Sequence, residues 1–178
     1  MKALFFSGLC AILLLGCTAS KQGNETAAAE TNALVTGDFE IISTWANPIG
    51  NSALNRTGAQ GALGVDSNAG RVNIAGNTNY VRKIGDSLSV YLPYYGTRTT
   101  GATPLMETTQ SSIIFEGIPN TYTVTTGRNG RFTQVLFAIE TEKERYSFLV
   151  KVFSKNTVTM DVTATHRNRI QYEGRIEK

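Results

Sequence analysis

Thr157-Val158-Thr159-Met160-Asp161-Val162-Thr163, and again Ile170-Gln171-Tyr172-Glu173-Gly174-Arg175-Ile176, alternate between side chains that avoid water and side chains that seek it. A period of two puts one set on each face of a β-strand, whereas a helix needs apolar residues three and four apart. Towards the N-terminus, Tyr146, Phe148, Val150 and Val152 share a face of a further run, whose second face carries Leu149 and Phe153. Leu88, Val90 and Leu92 form another set. No comparable helical stripe occurs after residue 36. One dry face and one wet face is what an antiparallel sheet or a small barrel presents.

The turns agree with the strands. Asn129-Gly130 separates two apolar runs, and both residues tolerate the positive φ that a tight hairpin demands. Gly85-Asp86 and Lys155-Asn156 hold equivalent places. Residues 140–145, of mixed charge, read as an exposed hairpin tip. These signals predict strands over 38–45, 71–75, 80–84, 87–92, 112–118, 121–126, 131–140, 145–154, 157–164 and 169–176, with Pro93 ending one ladder. Two long interruptions rich in Gly, Asn, Thr and Ala, 46–70 and 96–111, fall at the rims. The expected fold is all-β, a single antiparallel up-and-down β-barrel of lipocalin-like or streptavidin-like form, because closure removes exposed edges. A two-layer β-sandwich is the alternative.

Composition narrows the class. The chain has 178 residues, 41% hydrophobic and 17% charged, which suits one folded domain plus a tail and excludes full disorder. No glycine period or internal repeat points to collagen or a solenoid. A net charge of +3, dispersed along the chain, gives no basis for nucleic-acid binding.

The N-terminus carries an address. Lys2 precedes an apolar run that is too short to cross a bilayer and reads as the hydrophobic segment of an export signal. It ends in Leu14-Leu15-Gly16-Cys17, which resembles a bacterial lipobox. That resemblance implies diacylglyceryl transfer to the Cys17 thiol and cleavage before Cys17. Cys10 then leaves with the signal, so the mature chain holds no disulfide, thiol nucleophile or thiolate metal site. The expected organisation is a signal at 1–16, a lipidated flexible tether at 17–36 and a β-barrel-like domain at 37–178. No acidic cluster follows Cys17, which favours an outer-membrane anchor facing the periplasm.

Chemistry-bearing residues are sparse. His166 is the single histidine and reads as a turn residue; no nucleophile elbow, phosphate loop or dinucleotide fingerprint occurs. No catalytic residue, metal site or cofactor is therefore expected, and the chain is not read as an enzyme. Tyr91-Leu92-Pro93-Tyr94-Tyr95-Gly96 is the most distinctive local feature. Tyr91, Tyr94 and Tyr95 either line a pocket mouth or plug one barrel end, and Trp45 caps that end or the other. Arg169, within Arg167-Asn168-Arg169, and Tyr172 on the last strand are assigned structural roles.

Gly85-Asp86-Ser87-Leu88 leading into the 91–96 block, then Ile114-Phe115-Glu116-Gly117, Asn168-Arg169 and the 170–176 strand together resemble domain-of-unknown-function family 4251 of Bacteroidetes-type lipoproteins. The resemblance spans residues 38–177 and implies an exported β-rich lipoprotein domain with no reaction attached. The expected function is a non-catalytic envelope lipoprotein that binds a small apolar or amphipathic ligand in its barrel. The alternative is a structural or protein–protein interaction module of an envelope complex. The expected partners are the membrane, through the lipid, and either that ligand or an envelope protein.

Overall fold

A computed structural model describes residues 29–49, 66–68, 70–96, 111–142 and 144–178. Within them the chain forms β1 (Phe39–Pro48), β2 (Val72–Asn73), β3 (Tyr80–Ile84), β4 (Ser87–Tyr94), β5 (Ser111–Gly117), β6 (Thr121–Thr126), β7 (Phe132–Glu140), β8 (Arg145–Phe153), β9 (Thr157–Ala164) and β10 (Ile170–Glu177). Residues 29–36 are helical. The predicted turns sit where expected: Gly85, Gly130, Lys155 and Asn156 all adopt positive φ. Pro93 does not end its ladder, since β4 continues to Tyr94 and pairs Pro93 with Ser112. Proline is tolerated there because β3 has already ended at the Tyr80–Tyr91 pair, leaving one flank of β4 with no ladder to break.

All strands belong to one antiparallel sheet in the order β5-β4-β3-β1-β10-β9-β8-β7-β6, with β2 beside β1. The sheet curls into a half-barrel. A single sheet replaces the two layers of the sandwich alternative. Sequence neighbours are sheet neighbours, and the first strand pairs with the last, Glu40 opposite Glu177 and Pro48 opposite Ile170. That is an up-and-down meander whose one opening lies in mid-sequence, between β5 and β6. Eight antiparallel steps separate these two along the sheet, so they run in the same direction. Only Ile118, Pro119 and Asn120 join them, far too few for a crossover between parallel neighbours. They are therefore successive halves of one kinked path, the first bonded to β4 and the second to β7.

The helix at 29–36 docks on β6 and β7 beside this opening. Val35 is fully buried in the core, its carbonyl accepts the Tyr122 hydroxyl of β6 at 2.8 Å, and Lys83 of β3 reaches the Gly37 carbonyl at 3.4 Å. A lysine at the C-terminal end of a helix also meets the negative end of its dipole. The folded domain thus includes residues 29–36, and the tether assigned to 17–36 loses its last eight residues. A helix this short is marginal in water, so docking rather than propensity forms it.

Inward residues of every long strand merge into one core, with the Phe137 and Phe148 rings stacked at 4.5 Å. Two local devices keep the centre of the sheet intact. Between β2 and β3 the buried Asn79 side chain accepts from the Ser43 amide at 2.7 Å and donates to the Ser43 carbonyl at 3.0 Å, standing in for a missing strand partner. On the other flank of β1 a bulge between Ser43 and Trp45 presses the backbone onto Gly174. A Cβ at position 174 would lie 2.1 Å from the Ile42 carbonyl oxygen, so only glycine fits.

Candidate functional site

The richest polar cluster closes the barrel end formed by the β7–β8 and β9–β10 connections. Thr141 closes the first turn, its hydroxyl accepting the Glu144 amide at 3.1 Å and donating to the Glu144 carbonyl at 2.9 Å. Glu144 extends the inward-facing alternation of β8 by one step and so points inside, its side chain 1% exposed. Its Oε2 accepts the Arg167 Nε at 2.6 Å and the Tyr146 hydroxyl at 2.7 Å. Arg167, 7% exposed, also lies over the Tyr94 ring at 4.9 Å. The Tyr94 hydroxyl donates to the Asn168 carbonyl at 2.8 Å, and the Tyr172 hydroxyl to the Pro93 carbonyl at 2.8 Å. Glu144 Oε1 has no hydrogen-bond partner among the described residues.

Two phenols of this cluster, Tyr172 and Tyr95, are held neutral. Burial pushes the Tyr172 hydroxyl well above its ordinary range; neighbouring Tyr94, Tyr95 and Tyr146 push the same way, and Arg167 pulls against them. Partial burial also raises Tyr95, against an opposing hydrogen bond from Asn77. Protonated phenols donate, the carboxylate accepts, and Arg167 cross-links two connections through charge-assisted bonds. Chemically the arrangement is a brace that locks the rim. Among the described residues, no three His, Cys, Asp or Glu side chains cluster as metal ligands, and no helix is long and apolar enough to cross a membrane.

The pattern defining the DUF4251 family, a domain of unknown function, matches residues 21–176. The chain belongs to the DUF4251 family. A crystal structure of a DUF4251 family protein from Bacteroides eggerthii DSM 20697 superimposes with a TM-score of 0.54 at 10% identity, covering 88% of this chain and 90% of that one. At that identity the likeness speaks for the fold alone. No curated protein matches the chain.

The DUF4251 fold separates the residues singled out in the sequence. Tyr94 and Tyr95 join Tyr172 at the rim. Tyr91 points outward and stacks on Tyr80 at 6.1 Å. Trp45 is also on the outer face, 4.2 Å beneath the Arg71 guanidinium, which pairs with Glu173 at 3.1 Å. Arg169 pairs with Asp161 at 2.7 Å, and its carbonyl accepts the Ile49 amide at 3.0 Å. His166 lies half-buried in the β9–β10 connection. Cys17, the lipobox, residues 17–28 and most of the two long interruptions lie outside the described residues. The residue missed is Glu144: the 140–145 run reads as an exposed tip, yet Glu144 folds inward. Extending the Tyr146-Phe148-Val150 alternation one step back reveals it.

Proposed function

We propose that this chain is a non-catalytic, lipid-anchored protein of the cell envelope, held through Cys17 in the outer membrane and facing the periplasm, whose β domain is a protein-interaction module. One observation carries the interaction reading. On the outer wall Tyr80 opposes Tyr91, which opposes Ile114, and Ile42 extends the row one residue past the Ile41–Val81 pair. Ile114 is 62% exposed and sits on β5, which bonds to β4 and to no other described strand. An apolar row leading to an unpaired strand edge offers side-chain contact and backbone hydrogen bonds to an added strand. The small-ligand version has less support, because large side chains fill the concave face of the described residues and the rim groups bond to one another.

Two measurements test this. Intact mass of the membrane-extracted chain should show Cys17 as the lipidated N-terminus, and Cys17→Ser should abolish that modification. A photo-crosslinking residue at Ile114 should give one discrete protein adduct in cells, weakened by Tyr91→Ala; a control at Thr123, on the outer face of β6, should give none. Equal adducts at both positions, or none at either, would refute the interaction module.

A further inference from the structure

Charges that look dispersed along the sequence are sorted by the fold. The β6–β7 and β8–β9 hairpins lie side by side, because Phe132 opposes Phe153 and Val152 opposes Val158. Their tips carry exposed Arg128, Arg131 and Lys155, with half-buried Lys151 just behind. Neither hairpin contains an acidic residue over 126–132 or 151–157. None of these four cations takes part in an ion pair among the described residues. Between them sit two half-buried rings, Phe132 and Phe153, 5.6 Å apart, with the Lys151 ammonium 5.8 Å from the Phe132 centroid. At the opposite end charges of both signs are matched, Glu140 pairing with Arg145 at 3.0 Å and Glu144 with Arg167 at 2.6 Å.

The chain enters the fold at this same basic end. Thr31, in the first described turn of the helix, bonds Thr133 at 2.7 Å, one residue past Phe132. From Cys17 to residue 29 there are only twelve residues, a reach of at most about 40 Å. A lipid at Cys17 therefore holds the basic hairpins, rather than the 140–145 hairpin, next to the bilayer. Lys and Arg beside aromatic rings are the side chains that suit a headgroup region, where each cation near an anionic surface strengthens partitioning roughly fivefold.

We propose that the end formed by Arg128, Arg131, Lys151, Lys155, Phe132 and Phe153 docks on the anionic headgroups of the leaflet that carries the chain's own lipid. This rests on the lipid anchor at Cys17 proposed above. Docking fixes the domain upright, with the 140–145 hairpin and the rim cluster away from the membrane and the Tyr80–Tyr91–Ile114 wall free at the side.

The test uses the full lipidated chain in vesicles of phosphatidylcholine, alone or mixed with phosphatidylglycerol. Because no cysteine follows Cys17, Ser154→Cys or Glu142→Cys each supplies one labelling site for a polarity-sensitive fluorophore. In mixed vesicles the probe at 154 should shift to the blue and be quenched by headgroup-labelled lipid, and the probe at 142 should do neither. High salt, pure phosphatidylcholine, or Arg128→Gln/Arg131→Gln/Lys155→Gln should remove the response at 154, the triple variant lowering the docked-to-free ratio on the order of a hundredfold. Flotation in high salt reads the anchor separately. A chain that floats in high salt, yet shows no response at 154 in low-salt mixed vesicles, overturns docking and leaves the anchor standing. An equal response on neutral vesicles, or at 142 as well, also overturns it. A chain that leaves the vesicles in high salt refutes the anchor, and the docking proposal falls with it.

Discussion

Replacing Arg167 by methionine keeps most of the side-chain volume and removes the charge facing Glu144. Both partners are nearly inaccessible, at 7% and 1% exposure, so the carboxylate cannot turn to water for compensation. Breaking one side of a buried ion pair costs about 3–5 kcal/mol. Tyr146 still donates to Oε2, which places the expected loss at the lower end, about 3 kcal/mol. The guanidinium's contact with the Tyr94 ring adds about 0.5–2 kcal/mol. With a urea dependence of about 1–3 kcal/mol per molar, the midpoint should fall by about 1–3 M. Fluorescence of Trp45, the chain's one tryptophan, follows the transition. Glu144→Gln/Arg167→Met removes both charges and should recover much of the loss, leaving a coupling of about 1–3 kcal/mol. Additivity of the single variants within about 0.5 kcal/mol would refute the claim that these residues stabilise as a pair.

Gly174→Ala must drive a methyl into the Ile42 carbonyl and the Ser43 backbone, so it should cost at least about 1–3 kcal/mol; an unchanged melting temperature would contradict the close approach at the bulge. Asn79→Ala leaves the buried Ser43 amide and carbonyl without their partner, worth about 1–3 kcal/mol for each group. Amide exchange at Ser43 should accelerate, and unchanged protection there would count against the stand-in role. In alkali, Tyr172 and Tyr122 are held protonated by burial, both raised above 10.0. Their contribution is complete below that ordinary value. It is lost as pH rises above it, because the unfolded chain ionises first, at about 1.4 kcal/mol per pH unit per group. Tyr172→Phe should make the fall of stability above pH 10 shallower, and an identical slope in absorbance-monitored unfolding would show that this phenol does not stay protonated.

The strands were legible because each satisfies a local rule: β9 and β10 keep strict alternation, and Lys155-Asn156 and Gly85 sit where the backbone needs positive φ. Pairing was less so. Nothing near Phe39 announces that β1 will lie against a strand beginning at Ile170, since that contact depends on curvature accumulated over the whole sheet. The helix at 29–36 is hidden for the same reason: its sequence is mostly small and polar, and only the assembled core gives Val35 somewhere to go. At the rim, Tyr94 and Tyr95 stood out by type and Glu144 did not, because neighbouring charges made a buried carboxylate look like part of a solvated turn. The separation of Tyr91 from Tyr94 followed from strand parity and was available from the start.

The kinked passage through Ile118, Pro119 and Asn120 has a topological corollary. The first and last strands, β1 and β10, are neighbours in the middle of the sheet, Glu40 facing Glu177, while the sheet's two borders, β5 and β6, are consecutive in the sequence. Linking β10 directly to β1 and cutting at Pro119 would produce a circular permutant whose strands follow one another from border to border in simple succession.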